Sequence, residues 1–104
     1  MNSSERFFSK IVKLDVRNRL NVKEFFNKGD WVAIRRLENG RICLDKVNMD
    51  EIIYIGQVDK NGRMKLSKNA AETLINHLES KGNRYFVIVK TSDKILICKP
   101  DIRI

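Results

Sequence analysis

The sequence predicts a mainly β fold with short helices (α+β), and three observations carry that expectation. Apolar and polar residues partly alternate through several short runs. Turn-forming residues separate such runs at hairpin spacing. Only Ser67 to Lys81 holds helical spacing over more than a turn or two. The 104 residues are 42% hydrophobic and 33% charged with a single proline, which is a globular composition. Half of such a chain would be hard to stabilise alone, so one cooperative body is expected.

From Phe7 to Leu14, Phe8, Lys10, Val12 and Leu14 alternate with Ser9, Ile11 and Lys13, which favours a strand. Asp15 to Arg19 breaks the pattern with polar residues, and Leu20-Asn21-Val22 resumes it. Lys23 to Lys28 has room for one or two helical turns before Gly29, placed as a terminator with positive φ. A hairpin follows, with Trp31 to Leu37 and Arg41 to Leu44 flanking Glu38-Asn39-Gly40. Asn39-Gly40 supplies the left-handed conformations of a two-residue turn. Asp45 to Glu51 is a linker, polar except for Val47 and Met49.

The second half keeps this order. Ile52 to Val58 is a strand, Asp59 to Arg63 a loop, and Met64-Lys65-Leu66 a short strand. Ser67 is positioned to cap a helix that runs to Lys81, with Leu74, Ile75 and Leu78 on one side and Gly82 ending it. Arg84 to Lys90 and Lys94 to Cys98 form a second hairpin around Thr91-Ser92-Asp93, leaving a short tail after Pro100. The loops repeat at one offset, 59 − 15 = 44 and 63 − 19 = 44, which also pairs Leu14 with Val58, Leu20 with Met64 and Val22 with Leu66. The hairpins repeat at 82 − 29 = 53 and 95 − 42 = 53, so the second copy carries nine more residues, absorbed by its longer helix. Two diverged copies are therefore expected, 1–46 and 47–104, sharing one core.

Each copy opens on an Asp-x-x-x-Arg loop, Asp15 to Arg19 and Asp59 to Arg63. Asp59-Lys60-Asn61-Gly62-Arg63-Met64-Lys65-Leu66 resembles the Asp-x-x-Gly-Arg loop of the swapped-hairpin family of AbrB and SpoVT transition-state regulators, and the tandem arrangement is similar to that of MraZ. The first loop keeps the Asp, the Arg and the apolar alternation, with Asn18 in place of the glycine. Lys23 and Ser67 stand where the family usually has proline. The resemblance implies two swapped-hairpin repeats that exchange hairpins and close a pseudo-twofold β-barrel within one chain. It also implies a DNA-binding transcriptional regulator without a cofactor, contacting duplex DNA through its basic loop faces.

The residues that would make those contacts are Lys10, Lys13, Arg17 and Arg19 in the first copy and Lys60, Arg63, Lys65 and Lys68 in the second. Arginine forks bind guanine bidentately, whereas lysines act more as point charges on phosphate. A net charge of +8 supplies the field that draws polyanions, although such charge also serves solubility alone. Arg19 and Arg63 carry a second reading, as braces that pair with Asp15 and Asp59 across their own loops. Asp15 and Asp59 are structural on either reading, accepting loop amides as Asx turns do.

Other functions find less support. His77 is the sole histidine, and Cys43 and Cys98 lack metal-ligand spacing, so neither a metal nor a cofactor is expected. Both cysteines sit in apolar runs and suit buried free thiols, with a disulfide left open. No nucleophile elbow or phosphate-cradling Gly-rich loop occurs, so the chain is not expected to be an enzyme. No leader or membrane span is apparent, and a cytoplasmic protein that makes no membrane contact is expected. Trp31, Phe25 and Phe26 suit the core or a subunit interface, and Lys81, Arg84, Lys90, Lys94, Lys99 and Arg103 a solvated face. A homodimer or higher oligomer fits the family. The alternative function is a protein-binding swapped-hairpin module, antitoxin-like or an assembly adaptor, holding a protein partner through Trp31 and the Ala70 to Leu78 helix without binding DNA.

Overall fold

Short β-branched and aromatic runs, broken by Gly, Asn and Asp, fold into strands in a computed structural model of the chain, which describes residues 8–46, 52–78 and 84–99. In order these are β1 (Phe8–Lys13), β2 (Arg19–Asn21), β3 (Trp31–Arg36), β4 (Ile42–Lys46), β5 (Ile52–Gln57), β6 (Arg63–Lys65), α1 (Lys68–His77), β7 (Tyr85–Lys90) and β8 (Ile95–Cys98). The expected mainly β fold with short helical content is present. The first-half helical turns reduce to hydrogen-bonded turns in which Val22 O accepts from Phe25 N and Phe26 N, before Gly29 at φ +89°.

Six strands form one sheet in the order β1-β7-β8-β4-β3-β5, and β2 pairs with β6 in a separate two-stranded ribbon. The outer pairings cross the chain. β1 lies antiparallel to β7, with Val12 opposite Phe86, and β5 lies antiparallel to β3, with Val32 opposite Gly56. Both hairpins meet where Ile42 faces Ile97 and Cys43 faces Leu96. Among the described residues no closed barrel is found: β1 and β5 are sheet edges, and their ends meet the ribbon at the single bridges Leu14–Leu20 and Val58–Met64. With three residues each, β2 and β6 are too short to extend a ladder to those edges.

The core fills the space between the inner face of the sheet, the ribbon and α1. Leu14, Leu20, Val22, Met64, Leu66 and Leu74 meet Val32, Ile34, Ile42, Phe86 and Ile88 there, all buried. Burying each large apolar side chain is worth about 1.5–3 kcal/mol, so these positions hold the sheet to the ribbon. α1 begins as its sequence indicates, with Ser67 Oγ accepting from Ala70 N at 3.1 Å, and Ala70, Ala71 and Leu74 face inward. The helix is shorter than expected: it ends at His77 with Leu78 as its C-cap, before Lys81, while Lys81 and Gly82 themselves lie outside the described residues, as do Val47, Met49 and the tail after Pro100.

Two local expectations need correction. The first hairpin has a three-residue loop in which only Gly40 is left-handed (φ +85°): Leu37 O accepts from Gly40 N, and Leu37 N donates to Arg41 O. The linker starts after Lys46, because Asp45 stays in β4 opposite Ala33 and takes Arg35 Nη2 at 2.6 Å. Of the aromatics expected in the core or at a subunit interface, Phe26 is in the core, Phe25 half-buried and Trp31 exposed. Cys43 and Cys98 are free thiols, and burial pushes both up from their usual range.

Candidate nucleic-acid interface

The two Asp-to-Arg loops fold by the same local chemistry. Asp15 Oδ1 accepts from Arg17 N and Arg19 N, both at 2.9 Å, and Asp59 Oδ1 accepts from Asn61 N at 2.8 Å and Arg63 N at 3.0 Å. A short carboxylate two residues before a bare amide closes the Asx turn and leaves the fourth loop position left-handed, Asn18 at φ +60° and Gly62 at φ +78°. The residue after each ribbon strand then bonds to the other half's loop: Val22 N donates to Gly62 O and Leu66 N to Asn18 O. The loops therefore sit at opposite ends of the antiparallel β2–β6 ribbon.

Register in that ribbon decides which side chains share a face. Arg19 stands opposite Lys65 and Asn21 opposite Arg63, while the intervening Leu20 and Met64 are buried. Period-two alternation thus turns Arg19, Asn21, Arg63 and Lys65 away from the core together. The half-buried arginines are not free-swinging. Arg19 Nε is 2.8 Å from Asp15 Oδ2, the brace expected within its loop. Arg63 makes no such bond to Asp59; its Nη1 lies 3.9 Å from the same Asp15 Oδ2, and its buried Nε has no hydrogen-bond partner.

Electrostatics follow from that geometry. Burial works to raise the Asp15 carboxyl, but the Arg19 amide and guanidinium and the Arg17 amide overcome it and hold the group below its usual value. Asp59 is lowered first by the Arg63 amide, against a smaller desolvation effect, with help from the Asn61 amide and the charges of Arg63 and Arg19. Both loops therefore keep ionised carboxylates beside their arginines.

A cleft of about 240 Å³ joins Lys10, Lys13, Arg19 and Arg63 with Asp15, Asn21 and Glu24. Four of the eight expected contact residues, from both halves of the chain, are thus brought together. Lys10 Nζ pairs with Glu24 at 3.1 Å, and Lys13 Nζ lies 5.7 Å above the Tyr85 ring. The other four stand outside the cleft and exposed: Arg17 and Lys60 at the loop tips, Lys65 on the ribbon, and Lys68 at the start of α1.

Sequence reasoning missed Glu24 and Tyr85 as members of this surface and misplaced Arg84. Arg84 is half-buried, with Nε donating to Leu14 O at 3.0 Å and Nη2 to Asp15 O at 2.7 Å and Asn18 Oδ1 at 2.6 Å. It anchors the first loop to β7 instead of joining a solvated face. Its positive φ of +59° is unusual for a non-glycine residue, and nothing in its sequence neighbourhood signals it. Arg36 is exposed, while Arg35 pairs with Asp45. Among the described residues no helix is long and apolar enough to cross a membrane. No protein-family model matches the chain, and no curated protein matches it.

Proposed function

We propose that this chain is a DNA-binding transcriptional regulator of the AbrB/MraZ type, made of two swapped-hairpin copies, 1–46 and 47–104, that lays its β2–β6 ribbon and both Asp-to-Arg loops on duplex DNA. The observation that carries the reading is the ribbon register, which gathers Arg19, Arg63 and Lys65 from both halves on one outward face between two basic loop tips. A two-stranded ribbon is narrow enough for the major groove, and arginines held by a carboxylate lose little rotamer freedom on binding.

The crossed pairings support the two-copy reading. At the loop offset of 44, Val12 corresponds to Gly56, and their partners Phe86 and Val32 differ by 86 − 32 = 54. Ile34 opposite Leu44 and Ile88 opposite Ile97 give 97 − 44 = 53 for the second, central strand of each hairpin, because the first hairpin loop carries one more residue. Leu20 and Met64, equivalent at 44, are each other's partner, which is where a pseudo-twofold axis would pass. A second reading, a protein-binding module of this fold without DNA binding, is favoured by the exposure of Trp31 on β3.

Titration of fluorescent duplex DNA at several salt concentrations separates them, using wild type and an Arg19→Ala/Arg63→Ala variant shown to be folded by circular dichroism. A regulator binds with a steep salt dependence and loses affinity in the variant. Absence of binding at low salt rejects the DNA reading. Binding that survives the double change removes the ribbon face as the contact.

A further inference from the structure

The two halves treat their hairpin tips differently. α1 carries the second-half chain from β6 to the tip of the β3–β4 hairpin, where His77 Nε2 stands 2.7 Å from Gly40 O. In the first half the corresponding segment is the short Lys23–Lys28 turn, with no helix to reach the tip of the β7–β8 hairpin. The consequence shows in one pair of residues. Ile42, beside the tip that α1 reaches, is fully buried, whereas its counterpart Ile95 at 95 − 42 = 53 is only half-buried.

What lies in that place is a groove of about 300 Å³, floored by Phe25, Phe26, Leu44 and Ile95 and walled by the Thr91–Lys94 tip. Its rim carries a small positive excess. Asp45 is committed to Arg35 at 2.6 Å and Lys46 to Asp30 at 3.8 Å, which leaves the Asp93 carboxylate, accepting from Thr91 Oγ1 at 3.2 Å, against two lysines. Lys90 and Lys94 line the same rim, and neither side chain joins an ion pair among the described residues.

We propose that this groove is a docking site for an acidic amphipathic helix of a partner protein, seated against the β7–β8 tip as α1 is seated against the β3–β4 tip. The proposal rests on the two-copy reading of the fold. α1 itself is the template: it offers a face of small and branched residues, Ala70, Ala71 and Leu74, with Ile75 and Leu78 beside them. A partner helix with that spacing places apolar side chains on Phe25 and Ile95, and acidic residues on its flank meet Lys90 and Lys94.

The test uses a helix-stabilised synthetic peptide with the α1 apolar spacing and glutamates at its other positions, titrated into the full chain. Binding is followed by fluorescence anisotropy and by amide shifts in NMR spectra. Saturable binding is expected, with shifts at Phe25, Ile95 and the Thr91–Lys94 tip. Ser92→Trp, which fills the entrance from an exposed loop position, weakens it at least 10-fold without changing the unfolding midpoint or the DNA titration. Lys90→Glu/Lys94→Glu weakens it by a similar factor. The proposal is overturned if the peptide does not bind, if the shifts map to the ribbon or the Asp15 cleft, or if both variants bind as wild type. It is also overturned if the chain self-associates and Ser92→Trp alone makes it monomeric, since a second copy is then the occupant. Displacement of residues 100–104 from the groove by the peptide, read in their own amide signals, assigns it to this chain's own terminus instead. Because the DNA titration is separate, failure here leaves the regulator reading standing.

Discussion

Arg63 turns its guanidinium to Asp15 of the other loop, Nη1 to Oδ2 at 3.9 Å, while Asp59, its neighbour within the loop, accepts from the backbone N–H groups of Asn61 and Arg63. Asp15 also holds Arg19 at 2.8 Å, so one carboxylate braces the arginines of both halves. Two equivalent aspartates therefore do unequal work. Asp15→Ala removes the acceptor of two backbone amides and both arginine contacts, and should cost about 1–3 kcal/mol. Asp59→Ala should cost less. Urea denaturation of the two variants at pH 7 measures the difference, and equal losses would refute the shared brace.

The amides and arginines around Asp15 and Asp59 hold both carboxyls below the ordinary aspartate range in the folded chain. A lowered folded value means the unfolded chain takes up protons first as pH falls. The associated stability is fully present above the unfolded value and disappears as pH drops through the folded values. Wild type should therefore lose stability on acidification from pH 5 towards pH 2, and Asp15→Asn/Asp59→Asn should lose less over that interval. Parallel curves for the two proteins would remove these groups as the source.

Arg84 ties the first loop to β7 through Leu14 O, Asp15 O and Asn18 Oδ1 at the expense of a left-handed backbone. Three bonds from one planar fork cannot be reproduced by an ammonium. Arg84→Ala should destabilise by about 2 kcal/mol or more, and Arg84→Lys should recover little of it. Arg84→Gly loses the same bonds but relieves the positive φ, so it should be milder than Arg84→Ala by about 1 kcal/mol. Thermal unfolding of the three variants gives the order, and full rescue by lysine would contradict it.

The left-handed corners of the two loops are equivalent in backbone and different in surroundings. Asn18 turns its side chain to Arg84, whereas a Cβ on Gly62 would fall on Lys23 Cβ. Gly62→Asn, which copies the first loop into the second, should therefore destabilise by about 2 kcal/mol or more through crowding and strain. Asn18→Gly should cost less, since it gives up one hydrogen bond and no space. Denaturation midpoints decide it; a tolerated Gly62→Asn would mean that the Lys23 backbone yields.

Much of the local structure was legible, for physical reasons that act over a few residues. Alternation marks β1, an unbroken apolar run marks β3, Ser67 marks the start of α1, and Asp15 and Asp59 mark their Asx turns because the acceptor and its amides lie two to four residues apart. The offset of 44 is visible because it compares positions, not contacts. What escaped depends on partners far along the chain. Arg84 is 66 residues from Asn18, Arg63 chooses Asp15 over Asp59, and the open edges at β1 and β5 follow from strand lengths settled by packing. The hairpin loop at Gly40 was misread by one residue, since Asn-Gly suits both a two-residue turn and a three-residue loop with a single left-handed glycine.

The eight candidate contact residues should also separate by how committed each already is. Lys60 and Lys65 are exposed and make no ion pair among the described residues, whereas Lys10 is paired with Glu24 at 3.1 Å. A free lysine on phosphate releases condensed counterions, and each such contact contributes about 0.9 to the slope of log K against log salt. A lysine that must first leave a carboxylate gains less, because part of its attraction to phosphate replaces an interaction it already had. Lys65→Ala and Lys60→Ala should each flatten the slope by close to that amount, and Lys10→Ala by clearly less. Fluorescence anisotropy across a salt series reads all three slopes directly. If Lys10→Ala flattened the slope as much as Lys65→Ala, the paired side of the cleft would be carrying phosphate, and the contact surface would extend from the ribbon onto β1.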